Sequence, residues 1–504
     1  MQTQHRFNLR LRCDLGCARD KPWRNRKSVL WTLDAMAAAM HAERAGPLPM
    51  DLTGISIDSR RLTRGEAFFA IQGENRDGHD FVDDALKAGA GLAVVSSGQR
   101  GRFADAPLLV VPDALEALRD LARAARARMH AKVIAVTGSV GKTGTKEALR
   151  LALSTDGETH ASVASYNNHW GVPLSLARCP ASTKYAVFEI GMNHAGEITP
   201  LTKLVRPHVA IVTGVEPVHL EYFGSLEKIA DAKAEIFAGV EPGGAVVLNR
   251  DNAQYARLAA AAKAACIERI VPFGEHDDAD ARLVRLSLHA DCSTVDARIL
   301  GHTVTYKLGA PGRHLVLNSL AVLAAVSLAG ADLALAALAL TNLKPASGRG
   351  TRTMLTVPGG NALLIDESYN ANPASMRAAI ALLGQAPIGK RGRRVAVLGD
   401  MLELGPTGAE LHRALAGAIE AAGIDVVYCS GPLMRALWEA LPSRARGGYA
   451  DTAMGLERIV LGAIQAGDAV MVKGSLGSKM GPIVRALERQ FPRQGALNQV
   501  PAQG

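Results

Sequence analysis

Lys142 and Thr143 end the run Thr137-Gly138-Ser139-Val140-Gly141-Lys142-Thr143, which brings two glycines, a lysine and three hydroxyls into one short stretch. These residue types suit phosphate. A glycine turn lets backbone N–H groups face an anion, the lysine reaches terminal phosphates, and the threonine hydroxyl can ligate Mg²⁺. The common form of such a loop has a glycine five residues before Gly141, but Val136 stands there, so this is a shortened variant. Gly144 continues the loop into the next element.

Other candidate groups are spread along the chain. Glu189 sits in the apolar run Val187-Phe188-Glu189-Ile190, where burial of a carboxylate is costly without a cation. It is either on an edge strand facing water or a Mg²⁺ ligand or water-holder beside the phosphate loop. His219 follows an apolar run at 209–213. Lys233 shares one helical face with Ile229 and Ile236. Either its stem snorkels to water, or burial holds the amine neutral. A neutral amine can react with CO₂ and offer a carbamate to a second Mg²⁺ near His219. Arg349 could clamp a transferring phosphoryl group, and Asp366, opening Asp366-Glu367-Ser368-Tyr369-Asn370-Ala371-Asn372-Pro373, could take ribose hydroxyls. A bare turn also explains that last run.

These groups require α/β scaffolding. The apolar run 133–136 reads as a strand and 142–154 as a helix, which sets the loop at a helix N-terminus. Apolar runs at 185–190, 209–213 and 245–248 alternate with helical stretches, including 227–240, and predict a parallel sheet with helices on both faces. Ligands bind such sheets beyond the carboxyl ends of the strands. Runs at 363–365, 395–398, 426–429 and 469–472, with helices at 374–383, 408–422 and 433–441, predict a second wound sheet. Before the loop, strands at 54–72, 92–96 and 108–111 and helices at 30–42, 81–88 and 114–130 form a smaller α/β unit. The nearly apolar stretch 321–340 has the length of a membrane span, but Gly330 and Asp332 divide it into two buried helices.

The chain has 504 residues, enough for about three domains. The division read from the pattern is a basic disordered extension (1–28), an N-terminal domain (29–130), a central domain (131–345), a C-terminal Rossmann-like domain (346–492) and a loose tail (493–504). The net charge of +9 argues little for nucleic acid, because residues 1–27 hold eight Lys or Arg against Asp14 and Asp20. That leader lacks the apolar core of a secretory signal. The six scattered cysteines form no disulfide framework or metal quartet, so a reducing cytoplasm is expected.

Taken together the motifs resemble the Mur ligase family, in its dipeptide-adding branch, from about residue 29 to residue 490. The phosphate loop (Gly138, Ser139, Val140, Gly141, Lys142, Thr143, Gly144) is similar to the family's short loop, and Ser165-Tyr166-Asn167-Asn168-His169-Trp170-Gly171-Val172-Pro173 to its adenine-side motif. The segment from Phe188 to Glu197, with Asn193 and His194, resembles its metal-glutamate segment. His219 and Lys233 match the second metal site, where the family lysine is carbamylated. Arg349 and Asp366 match residues for γ-phosphate and ribose, and Asn370 lies in the motif of this branch. Gly399-Asp400-Met401-Leu402-Glu403-Leu404-Gly405 with His412, and Lys473-Gly474-Ser475, resemble further C-terminal motifs. Ser59, Arg60, Asp77, Gly78 and His79 match the region that holds the UDP end of the substrate. Gly144, where Thr or Ser is more usual, and Glu367, in place of a second Asp, depart from the pattern.

The resemblance implies a bacterial, cytoplasmic monomer of three domains: a small UDP-binding α/β domain, a P-loop ATPase-type sheet and a Rossmann-like domain. It implies ATP and two Mg²⁺ as cofactors, with UDP-MurNAc-tripeptide and D-Ala-D-Ala as substrates and neither nucleic acid nor stable membrane insertion. The activity implied is amide ligation through an acyl phosphate. The competing expectations are a sibling ligase adding the third stem residue, a folylpolyglutamate synthase, or a non-ligating nucleotide switch or transport ATPase.

Overall fold

The computed structural model describes residues 29–493 except 104, 164, 219, 346 and 347. The basic leader, the tail beyond residue 493 and His219 therefore lie outside the described residues. Among the described residues a two-stranded pairing of Trp31–Thr32 with Asp51–Leu52 is followed by three larger sheets along the chain. The first has five strands. Gly54–Ser56, Glu66–Phe69, Leu92–Ser96 and Leu108–Val111 run parallel, and Glu43–Ala45 closes the edge antiparallel. Its attachment to the next sheet is specific: Trp31 Nε1 donates to Ala177 O at 2.9 Å, the Arg128 guanidinium donates to Cys179 O, and Arg178 Nε donates to Ile55 O.

The nine-stranded central sheet is parallel from Thr159–Ala161 at one edge through Tyr185–Glu189, Lys132–Thr137, Val209–Val212, Ala245–Asn249 and Arg269–Gly274. Its strands are near-continuous Val/Ile/Ala runs because helices cover both faces. One face packs on the phosphate-loop helix Lys142–Leu153 and on Arg313–Leu328 and Leu333–Ala339. The last two are the divided apolar stretch: Gly330 turns at φ 76° and Asp332 caps the second helix. Among the described residues no helix is long and apolar enough to cross a membrane.

Beyond Arg269–Gly274 the sheet continues into Ala281–Leu288, Ser293–Ile299 and His302–Leu308, the last two pairings antiparallel. The apolar-run reading did not include this extension. These strands alternate polar and apolar, and a bulge between Leu283 and Arg285 breaks the alternation in the first. The third sheet is ordered Thr351–Val357, Gly360–Glu367, Ala469–Lys473, Arg394–Gly399, Val426–Ser430, Arg446–Ala450, antiparallel only at its first pair.

Several helices differ from expectation at their ends. The stretch 30–42 holds a short strand, Trp31–Thr32, before the helix Leu33–Ala39. The stretch 227–240 is an α-helix, Leu226–Ala234, that tightens into a 3₁₀ turn, Glu235–Gly239. The cause is tertiary: the Glu235 carboxylate accepts from the backbone N–H groups of Gly196, Ile198 and Thr199, which start the helix Ile198–Val205.

Candidate active site

Three neighbouring strands of the central sheet end at the same level. In register, Glu189 lies beside Val136 and Val212 beside Thr137, so the segments that follow all leave from one edge. The phosphate loop is one of these segments. It is pinned to the residues after Val209–Val212: Ser139 N–H donates to Gly214 O, and Thr213 Oγ1 donates to Val140 O. Gly138, at φ 142°, has Thr213 Oγ1 where a Cβ would be. Gly141, at φ 83°, caps the helix Lys142–Leu153, and a Cβ there would meet Asn318 Nδ2. Both glycines are required by space and by φ.

The cleft at this edge encloses about 620 Å³, and both the central and the C-terminal sheets line it. From the first come Ser139, Val140, Gly141, Lys142, Thr143, Gly144, Asn167, Asn168, Glu189 and Asn193; from the second, Arg349, Asn370 and Lys473. Lys142 Nζ donates to Gly138 O at 2.7 Å. Its pKa is lowered, first by desolvation; Glu189 opposes that shift and Arg349 adds to it, so these three charges share one electrostatic environment.

Glu189 is 1% exposed, on an interior strand, which excludes the water-facing edge reading. Asn167 Nδ2 donates to its Oε1 at 2.7 Å, while Oε2 is buried without a partner. Asn167 thus orients this carboxylate from the wall of the same cleft. Thr143 Oγ1 is likewise buried and unpartnered. Two orphaned oxygens beside a phosphate loop fit a hard divalent cation such as Mg²⁺. Among the described residues no three His, Cys, Asp or Glu side chains converge on a metal position.

Lys233 is 2% exposed, so its stem does not snorkel. Its pKa falls well below the ordinary lysine value, first through desolvation and then through Lys142, with Glu235 opposing. Lys233 is therefore held toward the neutral amine, within electrostatic reach of the phosphate-loop lysine.

Other candidates are placed differently. Asp366 is the penultimate residue of its strand, and its Oδ1 accepts from Ser368 N–H and Oγ; Glu367, which ends the strand, lines the cleft and pairs with Lys473 Nζ at 3.3 Å. His194 is exposed, pairs with Glu197 and meets the edge of Tyr222. In the N-terminal unit, His79 is buried between Asp77, at 2.6 Å, and the Ser96 N–H, and Gly78 packs on the Ile71 backbone. These residues hold that turn together. Arg60 is exposed and forks onto Asp58, and this contact lowers the Asp58 pKa. Ser59 and Arg60 flank a second cavity of about 910 Å³ lined by Asp58, Arg61, Tyr166 and Arg178, between the first two sheets. Asp400 and His412 are occupied internally, Asp400 by the N–H groups of Leu433 and Met434, and His412 by Met401 N–H and Gly408 O.

Sequence reasoning missed Asn318 and Glu216, which also line the cleft. Asn318 carried a signal, an amide near the start of an otherwise apolar helix; Glu216 did not. Burial raises the Glu216 pKa, opposed by Arg377.

Comparison with known proteins bears on the whole chain. The Mur ligase middle domain matches residues 136–326, the Mur ligase glutamate ligase domain residues 353–476, and the Mur ligase family catalytic domain residues 51–126. The UDP-N-acetylmuramoyl-tripeptide--D-alanyl-D-alanine ligase of Escherichia coli (strain K12) is 37% identical over 91% of this chain and 98% of that protein. Its counterpart in Rickettsia prowazekii is 32% identical over 90% and 99%. A crystal structure of MurF from Acinetobacter baumannii superposes with a TM-score of 0.78 at 30% identity, covering 91% of this chain and 99% of that one. The MurF ligase of Thermotoga maritima in complex with ADP gives 0.70 at 25% identity, covering 87% and 97%. With family domains matched along its length and relatives aligned almost end to end, the chain belongs to the Mur ligase family.

Proposed function

We propose that this protein is the ATP-dependent ligase that joins D-Ala-D-Ala to UDP-MurNAc-tripeptide in bacterial peptidoglycan-precursor synthesis, giving UDP-MurNAc-pentapeptide, ADP and phosphate in the cytoplasm. The observation that carries the reading is the shared cleft, in which Lys142 and Glu189 from one sheet and Arg349 from the other face a common space.

A carboxylate is a poor electrophile, so the tripeptide's terminal carboxylate oxygen first attacks the γ-phosphorus of ATP. ADP leaves and an acyl phosphate forms. The dipeptide amine then attacks the acyl carbon, loses a proton, and phosphate departs from the tetrahedral intermediate. Lys142 and the N–H groups of the loop hold the nucleotide phosphates, and Arg349 clamps the phosphoryl group in transfer. Asn167 keeps Glu189 turned toward the loop. Mg²⁺, held by Thr143 and Glu189 with a second ion at a Lys233 carbamate and His219, would supply charge neutralisation at the transferring phosphoryl group. The cavity between the first two sheets is where the UDP end of the substrate fits this scheme, beside Asp58 and Arg61, the neighbours of Ser59 and Arg60 in the chain.

Phosphate release measured with ATP, Mg²⁺, UDP-MurNAc-tripeptide and D-Ala-D-Ala, omitting each in turn, tests the assignment. Release should require all four. Release indifferent to the dipeptide would reject it in favour of a nucleotide switch, and a requirement for a single amino acid instead would indicate a sibling ligase.

A further inference from the structure

Tyr369 occupies a position that the chemistry above leaves unused. It follows the strand Gly360–Glu367 in the C-terminal sheet, and its hydroxyl donates to Ser165 Oγ, on the central side of the cleft, at 3.0 Å. The same ring carries the Arg349 guanidinium, whose carbon lies 4.3 Å from the ring centroid. Its backbone is tied to the segment that bears Arg349: Tyr369 N–H donates to Gly348 O at 3.1 Å. Gly348 stands at φ 74°, and a Cβ there would come within 2.9 Å of Tyr369 Cβ, so the two segments are as close as a glycine permits. One side chain thus touches the opposite wall with its hydroxyl and supports the cleft arginine with its ring.

We propose that Tyr369 is a positioning residue that couples closure of the cleft to placement of Arg349, through its hydroxyl on Ser165 and its ring beneath the guanidinium. The coupling follows from rigidity. A tyrosine has few rotatable bonds, so fixing its hydroxyl on Ser165 also fixes the ring plane on which Arg349 lies. When the two sheets separate, the hydroxyl loses its partner, and the ring is no longer held from the central side. The inference rests on the reading of Arg349 as a phosphoryl clamp.

The test uses the full chain with four variants, Tyr369→Phe, Ser165→Ala, their double and Tyr369→Leu. Closure is followed by small-angle X-ray scattering with Mg²⁺ and a non-hydrolysable ATP analogue, and kcat and KM for ATP are measured in parallel. Tyr369→Phe and Ser165→Ala should each reduce the closed-to-open ratio and raise KM by about fivefold, the effect of one neutral hydrogen bond. The double variant should be no worse than either single one, because both remove the same contact. Tyr369→Leu, which also removes the ring, should lower kcat by about a further tenfold. Unchanged closure in both single variants, or a double variant whose effect is the product of the singles, would overturn the proposal. Normal turnover in Arg349→Ala would overturn the clamp reading separately, because the Tyr369–Ser165 coupling is read from scattering.

Discussion

At the scale of single residues, the cleft contains cationic and anionic groups that folding alone does not require. Lys142 is held at the phosphate loop against a desolvation cost, and its removal takes away a preorganised positive charge. Lys142→Ala should lower kcat by about 100-fold, equivalent to ~3 kcal/mol of lost transition-state stabilisation, while the thermal midpoint stays near that of the parent chain. Turnover within a few-fold of the parent would contradict the role given to this lysine. Lys233 gives a prediction in pH and CO₂. Burial disfavours its cation, so the reactive neutral amine is present well below the ordinary lysine range, and its fraction rises with pH. Enzyme depleted of CO₂ should lose activity and recover it on adding bicarbonate, with fuller recovery at higher pH. Carbon-13 bicarbonate should give a carbamate resonance that Lys233→Met abolishes. Activity indifferent to CO₂, with no such resonance, would remove the carbamate from the account.

At the scale of elements, the phosphate loop depends on its two sharply turned glycines and tolerates change at the third. Gly138→Ala places a methyl on Thr213 Oγ1 at φ 142° and should destabilise the protein by about 1–3 kcal/mol in urea unfolding. Gly144→Ser, in open space on the first turn of the helix, should stay within about 0.5 kcal/mol of the parent and keep its activity. Equal effects of the two substitutions would contradict this view of the loop. The helix Pro373–Gly384, which borders the cleft, starts with a capping box between Asn372 and Ser375, so Asn372→Ala should cost about 1 kcal/mol. Much of this level was legible in the sequence. The glycine spacing defined the loop, an acid within an apolar run marked Glu189, and a lysine on an apolar stripe marked Lys233. Other features were not, because their cause lies far along the chain. The break after Ala234 is made by Glu235 bonding to residues 196–199, and the place of Asn167 is set by its bond to Glu189. The hairpin strands from 281 to 308 are half exposed and one is bulged, so they gave no continuous apolar run.

At the scale of the whole molecule, the site is composite. Lys142, Thr143 and Glu189 belong to the central sheet, Arg349, Asn370 and Lys473 to the C-terminal one, and they face one cleft. Sequence motifs could suggest each half, but which side chains meet across the gap, such as Tyr369 with Ser165, emerges only on assembly. A cleft divided in this way can exclude water while a phosphoryl group moves and then open for release. The central claim is that the cleft activates a carboxylate by phosphorylating it. The direct measurement supplies UDP-MurNAc-tripeptide labelled with oxygen-18 in its terminal carboxylate, together with ATP, Mg²⁺ and D-Ala-D-Ala, and analyses the released phosphate by mass spectrometry. The account predicts that each phosphate formed with pentapeptide carries one oxygen from the labelled carboxylate. Pentapeptide formed alongside unlabelled phosphate would contradict it.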